Sequence, residues 1–326
     1  MTTMTRQLGK SGIQVSAMGL GCWAIGGPFW AGEQPLGWSA VDDAESLRAI
    51  EQALDLGVNF FDTADVYGTG HSEKILAKAL ANKRDQLVIA TKFGNVFDSE
   101  TRQLVGQEKS AAYIRQACEA SLKRLQTDYI DLYQLHLSDL PIVEAEVVFE
   151  TLESLCTDGL IRAYGWSTDD PALAQAFANN TNYVAIQHDL NVFRDAQAIL
   201  DVCDASNLAS INRSPLAMGI LTGKFTPQSK LPDDDVRGKA PAWLTFFEDG
   251  RPTPEWLTKL ESIREILTSG GRTLTQGALA WIWAWHPRTI PIPGFKTLKQ
   301  VKENAGAMQF GSLPAESLAE IDKLLT

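Results

Sequence analysis

Residues 57–80 read GVNFFDTADVYGTGHSEKILAKAL, and the reading of this stretch decides how the remainder of the 326-residue chain is understood. Its opening, residues 58–63, is a short apolar run rich in β-formers, set off by Gly57 and by a loop of small residues, which is the pattern of a buried strand. Asp62 then falls at the C-terminal end of that strand. Tyr67 follows in a loop punctuated by Gly68 and Gly70, and Ser72 reads as the N-cap of a helix whose Ile75, Leu76, Ala79 and Leu80 recur at helical spacing. Tyr67 is therefore expected just above the strand end. Alone, an aspartate in this position is more often a cap for the next helix than a catalytic group.

Outward from this stretch the pattern alternates. Strand signals fall at residues 18–22, 59–63, 87–92, 130–136, 161–167, 184–188, 210–214 and 289–293. Helical periodicity lies between them at 42–56, 110–125, 171–178, 196–205, 254–268 and 274–285, and a further helix opens at Pro141 and closes at Gly159. Strands alternating with helices pair in parallel through crossovers, and eight such units favour a closed barrel over an open sheet. A doubly wound nucleotide fold would open on a strand, G-x-G-x-x-G and a helix, and Gly19, Gly21, Gly26 and Gly27 are not spaced that way. The expectation is one α/β domain over residues 1–326, a (β/α)8 TIM barrel with an N-terminal β-hairpin at 6–15. The glycine-rich first strand implies close approach by another group. After the seventh strand comes a long irregular loop, residues 225–251, whose Trp243, Phe246 and Phe247 either form a lid or pin the loop to the barrel.

Composition narrows the function classes. A formal net charge of −11 with no cluster of lysines and arginines argues against a nucleic-acid or anionic-membrane partner. Cys22, Cys118, Cys156 and Cys203 stand singly, without metal or redox spacing, and read as reduced thiols filling core spaces. The first residues lack the apolar core of a secretory signal and no run approaches the length of a membrane span, so a cytoplasmic protein is expected.

Three successive strands end on polar residues that a core does not need: Asp62, Lys92 and His136. In a β/α barrel these ends open onto one face, where Tyr67 joins them. Singly, a strand-end lysine is usually solvated and a lone histidine usually a satisfied core or surface residue. Together the four make a candidate catalytic group without a metal.

The order Asp62-Thr63-Ala64, Tyr67-Gly68, Ser72-Glu73 resembles the signature of the aldo-keto reductases. The likeness extends through RQLGKSGIQVSAMGLG near the N-terminus, SLKRLQTDYIDLYQLH, LIRAYGWST, SPLAMGILTGK and IPGFKTLKQVKENAGA near the C-terminus. It implies a reductase of an aldehyde or ketone, with Asp62, Tyr67, Lys92 and His136 as catalytic positions. The chemistry agrees with the residue types. A phenol of ordinary pKa near 10 is a poor proton donor at neutral pH unless its anion is stabilised, which a lysine ammonium does. A desolvated lysine needs a carboxylate to stay charged, the role of Asp62, and His136 is left to orient the substrate oxygen.

For the cofactor the resemblance implies NADPH, with NADH an open alternative because Gln300 stands where some branches carry a basic residue. Gly294, Lys296, Thr297, Gln300 and Asn304 would hold the adenosine 2′-phosphate at a helix N-terminus, although an ordinary threonine cap explains the same local sequence. Ser167, Thr168 and Gln187 are implied at the nicotinamide carboxamide, with Ser214 and Leu216 of the Ser-Pro-Leu turn beside them. Thr168 replaces the family's usual asparagine. Arg213 replaces an aromatic that stacks on the nicotinamide, so it either lies flat against that ring or recruits an anionic substrate. Trp23, Trp30 and Trp243 are candidates for the substrate walls. A cofactor-binding regulatory module, as in the potassium-channel β subunits, and a barrel hydrolase or isomerase without nucleotide are the rival readings.

Overall fold

The computed structural model describes residues 4–81 and 83–325; residues 1–3, on which part of the leader reading rests, lie outside them. Eight strands form one parallel sheet in sequence order: β1 (Leu20–Gly21), β2 (Phe60–Asp62), β3 (Val88–Phe93), β4 (Ile130–Leu135), β5 (Ile161–Ser167), β6 (Tyr183–Asp189), β7 (Ala209–Arg213) and β8 (Thr289–Pro291). Closure comes from β8 returning to β1, where Gly19 N–H donates to Pro291 O at 3.0 Å and Gly21 N–H to Pro293 O at 3.1 Å. A Cβ at Gly21 would sit 2.7 Å from Ile292 O, so the close approach expected of the glycine-rich strand is the barrel seam itself. Around the strands run α1 (Asp43–Asp55), α2 (His71–Ala79), α3 (Ala111–Leu125), α4 (Ile142–Thr157), α5 (Pro171–Ala176), α6 (Gln197–Ser206), α7 (Pro254–Leu267), α8 (Leu274–Trp285), α9 (Leu298–Phe310) and α10 (Ala315–Leu325). The expected (β/α)8 architecture is the observed one. No helix among the described residues is long and apolar enough to cross a membrane.

The period-two alternation of a strand places the site. Phe60, Val88, Ala90, Leu132, Ala163, Ala185, Ala209, Ile211 and Ile290 form one buried cluster inside the barrel. The N-terminal hairpin, Thr5–Gln7 paired antiparallel with Gln14–Ser16, contributes Leu8, Ile13 and Val15 to the same cluster and so closes that end of the barrel. Further along each strand, on the same parity and toward the C-terminal end, stand Asp62, Lys92, Gln134, Ser167, Gln187 and Arg213. The alternation that fills the lower layers with apolar side chains therefore delivers polar ones to the opposite mouth.

Local departures from the sequence expectations have plain causes. Ser72 is not an N-cap: α2 begins at His71 behind Gly70, whose φ of 92° ends the preceding turn. The Ser72 hydroxyl instead donates to Cys22 O at 2.8 Å and accepts from Thr63 Oγ1 at 2.8 Å, tying α2 to the ends of β1 and β2. Pro141 caps α4 from outside rather than occupying its first turn. An unforeseen hairpin, Asn95–Asp98 with Gln103–Gln107, follows β3 and joins Trp30–Ala31 and Gln34–Pro35 in a small sheet. Its strands are half-exposed and set their apolar residues side by side (Val96 and Phe97, Leu104 and Val105), so they lack the apolar alternation that announces a strand. In the long loop after β7, Phe246 and Phe247 are buried while Trp243 remains 52% exposed, so the first two rings pin the loop and the third faces the mouth side.

Candidate active site

Lys92 is fully buried and its ammonium has three acceptors for its three protons: Asp62 Oδ1 at 2.5 Å, Thr63 O at 2.8 Å and Tyr67 Oη at 3.4 Å. The other carboxylate oxygen, Asp62 Oδ2, accepts from Gln187 Nε2 at 2.7 Å and Gln134 Nε2 at 3.1 Å. Burial pulls the Lys92 pKa down, but the carboxylate of Asp62 and then the Tyr67 oxygen more than offset it, and the net shift is upward. The lysine is thus a held cation. Burial pushes the Tyr67 phenol up; Lys92 opposes that, Asp62 adds to it, and Arg213 acts weakly downward, leaving it raised. Because the phenol oxygen already accepts from Lys92, its own proton is free to point elsewhere.

The half-buried His136 ring stands edge-on to Tyr67, with centroids 6.0 Å apart and planes at 85°. Burial, then the charges of Lys92 and Arg213, push its pKa down to about 3, so the imidazole is neutral. Its Nδ1 is buried without a partner. All four side chains expected at the mouth are therefore brought together. The nearby acids of the same motif are occupied differently: Glu73 is buried, accepting from Thr91 Oγ1 at 2.6 Å and Arg124 Nε at 2.5 Å, while burial and the Glu73 charge push Asp65 well above the usual carboxylate range.

One wall is aromatic. Trp23 stacks on Tyr67 at 6.0 Å and 25°, meets Trp38 edge-on at 5.7 Å, and lies 6.4 Å from Trp243. Trp30 sits on its short strand beside Gln103 and shares none of these ring contacts; its neighbour Phe29 packs against Ala64 and Val66 instead.

Across the mouth are the ends of β5 to β7. Ser167 is buried and inward-facing, but the Thr168 hydroxyl is committed, donating to Ser138 O at 2.7 Å and accepting from Asp170 N–H at 3.1 Å. Arg213 is ion-paired with Asp169 and lies 3.9 Å from Asp189 Oδ2, which Arg194 also binds at 2.5 Å. The chain then coils tightly past Leu216, with Ser214, Ala217 and Met218 at φ of 52°, 48° and 54°. Such left-handed non-glycine residues cost about 1–3 kcal/mol each and cluster at ligand sites.

At the β8 end, Thr297 caps α9 in a reciprocal box with Gln300, whose side chain also accepts from Lys296 N–H at 2.7 Å. Asn304 is buried and donates to the exposed Gly294 carbonyl at 3.4 Å. Lys296 Nζ donates to Ser39 O at 2.8 Å, and a residue that sequence reasoning passed over, Glu45, accepts from Leu298 N–H at 2.9 Å. Two cations were also missed. Arg237 is buried against Trp38 and bound by Asp235; Lys224 is an exposed residue, yet crowding around its ammonium and the fields of Arg237 and Lys296 push it down to about 8, against Asp235. Lys224, Arg237 and Lys296 lie near enough to lower the proton affinity of the two lysines, with Asp235, bound to Arg237, as the acid among them. Gln134 and Asp189 were legible by strand parity with Leu132 and Gln187; Lys224, Arg237 and Glu45 sit in loops and on a helix face, where no local pattern marks them.

Comparison with known proteins agrees with this geometry. The family model described as "Aldo/keto reductase family" matches residues 17–326. Among curated relatives, an aldo-keto reductase of Bacillus subtilis, YhdN, is 34% identical over 280 residues, covering 84% of this chain and 80% of its own. Among solved structures, a glycerol dehydrogenase from Gluconobacter oxydans is 32% identical with a TM-score of 0.82, over 100% of this chain and 96% of that one. An aldo-keto reductase from Klebsiella pneumoniae in complex with NADPH is 26% identical with a TM-score of 0.71, over 99% and 95%. A barrel with Asp, Tyr, Lys and His at one mouth, matched from end to end at this level, leaves one conclusion: the chain belongs to the aldo/keto reductase family.

Proposed function

We propose that the chain is a single catalytic domain that reduces an aldehyde or ketone to an alcohol with NADPH. The observation that carries the proposal is the buried Lys92 ammonium, shared between Asp62 and the Tyr67 oxygen. Supporting the cofactor are the cation group of Lys224, Arg237 and Lys296, and the NADPH bound by the Klebsiella relative. Ser167, Gln187, Arg213, Ser214 and Leu216 would face its nicotinamide end; Gly294, Lys296, Thr297, Gln300 and Asn304 its adenosine end. When bound, it supplies the hydride.

The protein's own residues handle the proton and the charge. Tyr67 gives its proton to the carbonyl oxygen as negative charge develops there, and Lys92 holds the phenolate that forms. Asp62 keeps Lys92 charged through the step, and the Gln134 and Gln187 amides keep Asp62 from needing a second cation. Neutral His136 offers an N–H to the substrate oxygen without competing as an acid. Trp23 and Trp243 shield one side from water. Tyr67→Phe keeps the ring and removes the proton: turnover should fall by about 10²–10⁴-fold while NADPH still binds. Full turnover in that variant, followed by NADPH absorbance against aldehydes and ketones, would refute the assignment.

A further inference from the structure

Arg213 ends β7 on the inward parity, directly across from Asp189 in the β6–β7 register. Its guanidinium reaches back over β6 to Asp169, two residues beyond Ser167, and lies near Asp189, two residues beyond Gln187. The guanidinium is thus held beyond Ser167 and Gln187 along the strands, at the mouth end of β5 to β7. Its charge reaches both Tyr67 and His136. A hydride donor must lie beside the carbonyl carbon whose oxygen Tyr67 protonates, so the nicotinamide has to enter this side of the mouth. Binding an anionic substrate would require Arg213 to leave two carboxylates, which weighs against that use.

We propose that Arg213, clamped by Asp169 and Asp189, weakens binding of the oxidised, positively charged nicotinamide relative to the reduced, neutral one. The inference rests on the cofactor reading above. Its consequence is a site filled by reduced cofactor in a mixed pool and quick to release the oxidised form. The guanidinium is the near charge, and the carboxylates behind it screen but do not cancel its repulsion of a cationic ring. Asp169 sets the degree of screening, because its side chain is the direct partner, whereas Asp189 is shared with Arg194.

Two substitutions should therefore move one ratio in opposite directions. Equilibrium titration calorimetry gives Kd for NADPH and for NADP⁺ separately, with no turnover. Arg213→Gln should lower Kd(NADP⁺)/Kd(NADPH) by about tenfold, or about 1.4 kcal/mol. Asp169→Asn, on an exposed loop, should raise the ratio severalfold by unscreening the guanidinium. A ratio unchanged in both, or shifted the same way in both, overturns the inference while leaving the reductase reading intact. Failure of the parent protein to bind either form would instead overturn the reductase reading.

Discussion

Lys92→Met removes the ammonium that touches Asp62, Thr63 and Tyr67, and its two consequences can be separated. At 3.4 Å and an effective dielectric of about 20, the ammonium and a developing phenolate attract by about 5 kcal/mol. Asp62, closer to the same ammonium at 2.5 Å, offsets part of this, leaving about 2–4 kcal/mol, or about 30- to 1000-fold in kcat. Stability suffers independently: the buried Asp62 keeps two amide donors but loses its counter-charge, which costs about 3–5 kcal/mol. Adding Asp62→Asn removes the stranded charge, so the double variant should regain most of the stability and none of the activity. The raised Lys92 pKa gives a further signature. The stability it contributes is complete below its unfolded value near 10.5 and is lost as pH rises through the higher folded value, so that alkaline loss should vanish in Lys92→Met. Urea midpoints at unchanged slope and NADPH oxidation measure the two effects. A double variant no more stable than Lys92→Met would refute the charged-pair account, and parent-like turnover in Lys92→Met would refute the role of the ammonium.

Glu45→Gln takes away a carboxylate at the start of α9, where it accepts the Leu298 N–H and opposes any phosphate; it should tighten NADPH by about 3- to 10-fold and leave NADH nearly unchanged. Equal changes for both cofactors in a binding titration would show that Glu45 does not face the 2′-phosphate. For His136, the folded pKa near 3 against about 6.5 unfolded means the unfolded chain takes up a proton that the folded chain does not. Its share of stability is full above about pH 6.5 and falls as pH drops toward about 3, so the urea midpoint of His136→Gln should decline less steeply over that window than the parent's; parallel curves would contradict the assignment.

How much of this was readable from residues depends on what each residue packs against. The barrel strands announce themselves because buried parallel strands are continuous apolar runs, and Asp62, Lys92 and His136 because each breaks such a run at its end, whereas Tyr67 shows only through its place in the glycine-punctuated loop after β2. The Asn95–Asp98 and Gln103–Gln107 hairpin does not announce itself, since its apolar residues stand in adjacent pairs rather than alternating, and only Phe97 and Leu104 pack inward. The Ser72 hydroxyl was misread because capping and inter-element bonding ask the same chemistry of a serine; only the position of Gly70 decides between them. Thr297 reads both as a cap and as a phosphate ligand because both uses need a hydroxyl at the same helix N-terminus; its hydroxyl caps α9.

The residues that escaped notice are those that balance charge rather than carry chemistry, and they explain how one mouth holds two fields. On the Tyr67 side, Lys92 and Asp62 form a neutral pair whose remaining oxygen is completed by uncharged amides, so the near charge felt by the phenol is the ammonium. On the β5–β7 side, Arg213 and Arg194 are matched by Asp169 and Asp189, again neutral in sum, with Arg213 partly exposed at the end of β7. Had Asp62 been completed by a second cation in place of Gln187, His136, already depressed by burial and by two cations, would lose more of its basicity and the phenol would be driven toward premature ionisation. Amides satisfy the carboxylate without adding to either field. Gln187→Lys should therefore lower the Tyr67 pKa and shift the alkaline limb of the pH–rate profile downward, and an unshifted limb would mean that the two sides of the mouth are not electrostatically coupled.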